Sequence, residues 1–347
     1  MLMLKKTIAA LSLLSILAAC QNDENPSQPE PKPRQDINLT RAEQEFMDKG
    51  TDFAFRFFDQ VCSTEKEKPN VFVSPLSASL CLSMITNGAT DNTLAEMQNV
   101  LGFPANTFSL DDLNNYNQKL TSALLDLDNT TQLGIANSIW IEEGFKVYDS
   151  FVDVNKKMYD AQVQELDFTS PTAKDVINQW CATQTNNCIK EVIQEIPADA
   201  RMYLINALYF KGIWKSQFDK SATGQDNFTN VDGSQQKVAM MNQTATFNYT
   251  QTDDFSIAEL PYGNEAFSMV ILLPSGDKTL DESLPSLNYE NWKQWSKNMV
   301  GKELQIKLPR FKVEYDKELE EDMIAMGMKD AFDAYKAKFA NMSGAEL

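Results

Sequence analysis

Along this chain, apolar positions recur first at helical spacing and later at strand spacing. Phe46, Phe53, Phe57 and Val61 fall on one side of a 3.6-residue repeat and predict an amphipathic helix ending before the turn Lys68-Pro69-Asn70. Val71-Phe72-Val73 reads as a short apolar strand running into Ser74-Pro75, an N-cap followed by proline at the first helical position. Leu76, Leu80 and Met84 then share one face up to Gly88. Thr93-Leu94-Ala95-Glu96 has the form of a capping box, with Leu94, Met97 and Leu101 on one face of the helix it opens and Gly102 closing it. A further helix opens at Ser170-Pro171, and its inner stripe is Ile177, Trp180, Cys181, Gln184 and Cys188.

The second half turns to strands. Tyr203 to Phe210 is apolar on both parities, so this strand should be covered on both faces. Asn206 interrupts it, and a buried amide without partners costs about 1–3 kcal/mol, so Asn206 needs specific hydrogen bonds inside the sheet. Ser256 to Tyr262 and Ala266 to Pro274 form a hairpin around Gly263-Asn264-Glu265. Leu304, Ile306 and Leu308 alternate, Phe311 and Val313 extend the pattern past Pro309, and a last helix carries Leu319, Met323 and Met326 up to Gly327. Helices followed by antiparallel strands argue an α+β fold with helices packed on large mixed or antiparallel sheets. Neither an internal repeat nor a linker interrupts residues 37–347, which read as one domain.

The N-terminus has a different character. Lys5-Lys6, an apolar stretch from Ile8 to Leu17, and Leu17-Ala18-Ala19-Cys20 compose a secretory signal over residues 1–19, too short in its apolar part to span a bilayer. The cut before a cysteine resembles the bacterial lipobox and predicts Cys20 as the lipid attachment point, with the membrane as a partner and the outer membrane, cell surface or extracellular space as the location. Residues 20–36 carry prolines at 26, 29, 31 and 33 and no large apolar side chain, so they read as a tether. In polyproline II form it would hold the body on the order of 40 Å from the surface.

Composition removes several functions. The 49 acidic against 31 basic residues give a formal charge of −18, which repels nucleic acid. The chain contains no histidine, which excludes Ser-His-Asp and Cys-His catalysis and imidazole metal ligation. Scattered carboxylates single out no acid–base pair, so neither an enzyme, a cofactor nor a metal is expected. Cys62, Cys81, Cys181 and Cys188 remain after lipidation; their even number permits disulfides without requiring them, and all four also suit burial as small hydrophobes.

The order and wording of the segments resemble the serpin family over nearly the whole of residues 36–347. The matching pieces include N-V-F-V-S-P-L-S at 70–77, L-G-I-A-N-S-I-W at 133–140, I-N-A-L-Y-F-K-G-I-W at 205–214, E-L-P-Y at 259–262, S-M-V-I-L-L-P at 268–274, L-P-R-F-K-V at 308–313 and M-G-M-K-D-A-F at 326–332. The resemblance implies a suicide-substrate inhibitor of a serine or cysteine protease: a cut reactive loop inserts into the main sheet as a new strand and carries the acyl-linked protease with it. It places Ser74, Ser77 and Asn206 in the family's shutter, beneath the point where the sheet opens, and Trp214 in the breach, where insertion begins. Capping alone also accounts for Ser74, and core packing for Trp214.

In the family, the segment matching Phe339 to Gly344 leads into a further main-sheet strand, a hinge, the reactive loop and the closing strands, whereas this sequence ends at Leu347. The expectation is a body truncated before the reactive-centre loop, lacking the last strands and inactive alone. The alternative is a cell-surface interaction lipoprotein that uses a non-inhibitory body of the same fold.

Overall fold

A computed structural model of the protein describes residues 30–344, so the leader 1–19, Cys20 and the tether as far as residue 29 lie outside the described residues. The first helix, α1 (Arg41–Thr64), opens on a true capping box: the Thr40 hydroxyl accepts from the Glu43 amide, and the Glu43 carboxylate accepts from the Thr40 amide at 2.7 Å. Its buried stripe is the predicted one, Phe46, Phe53, Phe57 and Val61. In α2 (Pro75–Thr86), Ser74 caps the Ser77 amide at 3.2 Å. This helix is buried on more than the single predicted face, with Ala78, Cys81, Leu82 and Ile85 joining Leu80 and Met84, which is the signature of a helix inside the core.

The residues Thr93 and Glu96 do not open a helix. The α3 helix (Asp91–Leu101) begins earlier, with Thr90 at its N-cap position, and ends as expected at Gly102, whose φ of 86° no β-carbon favours. Thr93 Oγ1 instead accepts from the Lys338 amide at 3.0 Å, and Glu96 accepts from the amides of Lys329 and Asp330, both at 2.7 Å. A capping-box pattern that local sequence would spend on its own helix here fastens the C-terminal segment.

After α4 (Leu110–Asp126) the chain enters a three-stranded sheet ordered β2-β1-β3. It is built from β1 (Gln132–Glu142), β2 (Gln162–Leu166) and β3 (Met202–Lys211), with β1 antiparallel to β3 and parallel to β2. The α5 helix (Asp149–Tyr159) joins β1 to β2, and α6 (Ala173–Gln184) leads towards β3. Both faces of β3 are covered, as its double apolar parity required. Met202 and Leu204 face the main core with Ile139 and Ile141 of β1, while Tyr203, Ile205 and Ala207 pack with Trp140, Ile177 and Trp180 on the α6 side. The stripe predicted for α6 stops short of Cys188, which lies in the turn beyond Gln184, so Cys181 and Cys188 do not share a helix.

The second sheet has five strands, β4 (Gly224–Thr229), β5 (Gln235–Gln251), β6 (Phe255–Pro261), β7 (Ser268–Pro274) and β8 (Val300–Pro309). The long β5 pairs β4 and then β6 along one side and β8 along the other. The β6–β7 hairpin is the one predicted, and α8 (Tyr289–Lys297) covers one face through Trp292 and Trp295 against Phe255, Ile257, Val270 and Leu272. Two strand expectations fail for a shared reason. Val71 to Val73 form no strand but lie half-buried against the main core, and the chain leaves the ladder at Pro309, with the Arg310 amide making one last bond to Ala239 O at 2.8 Å before the irregular stretch holding Phe311 and Val313. Apolar alternation records burial, but a strand also needs a partner for its backbone groups. The last helix, α9 (Glu320–Met326), ends at Gly327 with φ 118°.

Candidate functional site

The register of β1 and β3 sets Asn137 directly opposite Asn206, and both side chains share the face that β3 turns towards α2. Ser77, on the first turn of α2 and 5% exposed, donates from Oγ to Asn206 Oδ1 at 2.5 Å. Asn206 Nδ2 donates to Asn137 Oδ1 at 2.8 Å, and Asn137 Nδ2 donates to the Tyr159 carbonyl at 2.7 Å. The Tyr159 hydroxyl donates to Asn114 Oδ1 at 2.6 Å and accepts from Asn117 Nδ2 at 3.3 Å. Asn114 and Asn87 then exchange side-chain amide bonds at 2.8 and 3.1 Å. A continuous polar chain thus runs from β3 through β1 and the end of α5 to α4 and the end of α2.

These side chains are buried or half-buried, and each supplies both a donor and an acceptor. Such a set can exchange partners without leaving a polar atom unpaired. It offers no activated nucleophile: burial pushes the Tyr159 phenol well above its ordinary range, against the opposing hydrogen bond from Asn117 and the nearby polar side chains of Ser83 and Asn87. On α2, Ser77 Oγ also lies 3.5 Å from Asn206 O, and Cys81 Sγ contacts Leu204 O at 3.4 Å, so this helix seals two carbonyls of β3. The ladder beyond them is open, because among the described residues β3 pairs with β1 alone.

Ser74, Ser77 and Asn206 are therefore neighbours, with Ser74 linked to the chain only by capping the Ser77 amide. Trp214 stands apart. It follows the end of β3, bridges to Tyr262 and stacks on that ring at 4.3 Å and 18°, with Phe218 edge-on at 6.0 Å. Half-buried rather than fully enclosed, it belongs to the junction of the two sheets. Asp128, 4% exposed, holds the same junction from below: Oδ1 accepts from the Thr130 amide and hydroxyl at 2.8 and 2.7 Å, and Oδ2 from the Thr131 hydroxyl at 2.8 Å and, more weakly, the Asn264 amide at 3.4 Å.

Sequence reading reached Ser77 and Asn206 but missed Asn137, Tyr159, Asn114, Asn117, Asn87 and Asp128. One of these carried a usable signal, since Asn137 interrupts the apolar run L-G-I-A-N-S-I-W as Asn206 interrupts its own.

Cys62, Cys81, Cys181 and Cys188 are free thiols, and burial pushes Cys81 and Cys181 up to about 12 and Cys62 up to about 11. Among the described residues no group of three or more His, Cys, Asp or Glu side chains is placed to hold a metal ion, and no helix is long and apolar enough to cross a membrane.

Comparison with known proteins bears on this geometry directly. The description "Serpin (serine protease inhibitor)" belongs to the family model that matches residues 48–347. An uncharacterized serpin-like protein of Methanosarcina acetivorans is 33% identical over 302 residues, covering 85% of this chain and 70% of that protein. Serpin B6 of Macaca fascicularis is 36% identical over 289 residues, covering 80% of this chain and 76% of that protein. Among solved structures, the thermophilic serpin tengpin in its latent state superposes with a TM-score of 0.80 at 30% identity, covering 90% of this chain and 82% of that chain. On this match in sequence and in fold, the chain belongs to the serpin family, whose members are mostly protease inhibitors rather than catalysts.

Proposed function

We propose that the protein inhibits a serine or cysteine endopeptidase as a suicide substrate, by taking its own cleaved reactive loop onto the open edge of β3. The observation that carries this reading is the Ser77–Asn206–Asn137 chain beneath that edge. Ser77 and Asn206 act as the shutter. An incoming strand needs the backbone groups of β3 and must displace what α2 holds over them, and side-chain amides can re-pair as it enters. Ser74 sets the start of α2, and Trp214, stacked at the sheet junction, marks where insertion begins.

The family's reactive loop belongs C-terminal to the motifs matched here, so the test uses the protein expressed through its natural stop codon. Incubation with trypsin-, chymotrypsin-, subtilisin- and papain-type proteases should yield, with at least one, a covalent complex that survives heat and detergent. Cleavage without a complex across the whole panel would sink the reading and leave the alternative, an interaction lipoprotein with a non-inhibitory body.

The reading also places the protein on a membrane through lipid on Cys20, with residues 21–36 as the tether, at the outer membrane or cell surface. Metabolic labelling with palmitate should mark the wild type and not Cys20→Ala; equal labelling of both would remove the anchor.

A further inference from the structure

A cavity of about 280 Å3 opens between α1, α2 and α4. Its wall is largely apolar, with Phe53, Leu76, Leu101, Phe103 and Leu120, and Met47, 43% exposed, borders it on the solvent side. Of the polar residues in this wall, Thr51 and Ser79 bond carbonyls of their own helices, while Ser83 and Asn117 reach the polar chain. Ser83, on α2 and only 1% exposed, carries a hydroxyl that closes no hydrogen bond. It lies beside the Tyr159 hydroxyl, whose proton is already given to Asn114. Asn117 lines the same cavity and donates to that Tyr159 hydroxyl at 3.3 Å. The cavity and the polar chain leading to Asn206 therefore share a wall.

A buried hydroxyl without a partner is uncommon and calls for a reason. The space itself exceeds the about 150 Å3 of an apolar cavity that takes up benzene and approaches the about 300 Å3 at which small-molecule pockets begin. Tyr116, another lining residue, has its phenol pushed up to about 12 by burial and by the carboxylates of Glu43 and Asp48. Both acids are themselves ion-paired, Glu43 with Lys119 and Asp48 with Lys293, and among the described residues no basic side chain lines the cavity, so an anionic head group would be buried there without a counter-charge while a neutral one would not.

We propose that this cavity binds an uncharged aliphatic alcohol, its chain against Phe53, Leu76 and Leu120 and its hydroxyl on Ser83 Oγ. The bound head group completes the hydrogen bonding beside Tyr159 and so favours the arrangement in which Asn117, Tyr159, Asn137 and Asn206 are all joined. The inference stands on this geometry and not on the inhibitory reading above.

Calorimetric titration with decanol and decanoate, paired with thermal melts, tests it on the protein itself. Decanol should saturate one site and raise the melting temperature, with decanoate at least about tenfold weaker. Ser83→Ala should weaken decanol about three- to tenfold. Ala54 of α1 also lines the cavity, and Ala54→Phe, which fills the chamber, should abolish binding while the far-ultraviolet circular dichroism stays unchanged. No saturable decanol binding, equal affinity for decanoate, or undiminished binding by a folded Ala54→Phe would each overturn the proposal. If Ala54→Phe does not fold, Ser83→Ala decides alone, and an unchanged decanol affinity in that variant overturns it.

Discussion

Asn206 and Asn137 face each other across the β1–β3 ladder, and the Asn206 side-chain amide donates to the Asn137 side-chain oxygen at 2.8 Å. Without the other, each would keep one partner, Ser77 for Asn206 and the Tyr159 carbonyl for Asn137, and leave one polar atom unpaired in an apolar strand. Asn206→Ala removes the acceptor of Ser77 and the donor to Asn137 together, and a buried polar group left unpaired costs about 1–3 kcal/mol. The variant should melt several degrees lower with an unchanged denaturant slope. An unchanged melting temperature would mean the pair contributes nothing to the closed sheet.

Ser77 and Ser74 should separate in a double-mutant cycle. Ser77 bonds Asn206 directly at 2.5 Å, so Ser77→Ala and Asn206→Ala together should show a coupling of about 0.5–3 kcal/mol. Ser74 touches only the Ser77 amide, so Ser74→Ala should cost about 1 kcal/mol as a lost cap and add to Asn206→Ala with little coupling. Equal coupling for both serines would put Ser74 inside the chain of side chains.

Asp128 should make stability depend on pH in the acid range. Burial pushes its carboxyl up, but the hydroxyl and amide of Thr130, the hydroxyl of Thr131 and the Asn264 amide outweigh burial and hold it below the usual Asp value. The unfolded chain therefore takes up the proton first. The contribution is complete above the unfolded value of about 3.9 and is lost as pH falls through the lower folded one. Urea melts between pH 6 and about pH 3 should show a steeper loss for the wild type than for Asp128→Asn, and parallel curves would exclude the carboxylate as the cause.

Gly263 sits at a φ of 37°, and a β-carbon there would collide with Thr130 Oγ1 and Asp128 Oδ2. Gly263→Ala should therefore push the β6–β7 hairpin off the Asp128 loop and disturb the Trp214–Tyr262 stack beside it. The expected readout is a changed near-ultraviolet circular dichroism spectrum and a loss of about 1–3 kcal/mol, whereas a native spectrum and full stability would show that the loop gives way freely.

The thiols of Cys81 and Cys181, buried and pushed up to about 12, should resist alkylation at pH 8 in the folded protein and react in denaturant. Mass spectrometry after iodoacetamide treatment reads this residue by residue. Rapid modification of Cys81 without denaturant would mean that α2 lifts from β3 far more readily than the Cys81–Leu204 contact suggests.

Periodicity and end signals over a few residues were enough to locate α1, α6, the double-faced β3, the β6–β7 hairpin and the glycine stops at Gly102 and Gly327, because burial and capping act between near neighbours. The demand that Asn206 find partners was equally legible, since an amide in an apolar strand has no other way to be satisfied. Which partners it found was not. Asn206 takes Ser77 from 129 residues away and Asn137 from 69, and Asn137 in turn takes the Tyr159 carbonyl from 22. Thr93 and Glu96 show the same limit from the other side. Their spacing suits a local cap, but the amides of Lys338, Lys329 and Asp330 arrive from more than 230 residues along the chain and take those oxygens instead. A sequence states which groups must be paired; the folded chain assigns the pairs, because hydrogen-bond partners are chosen by proximity in space.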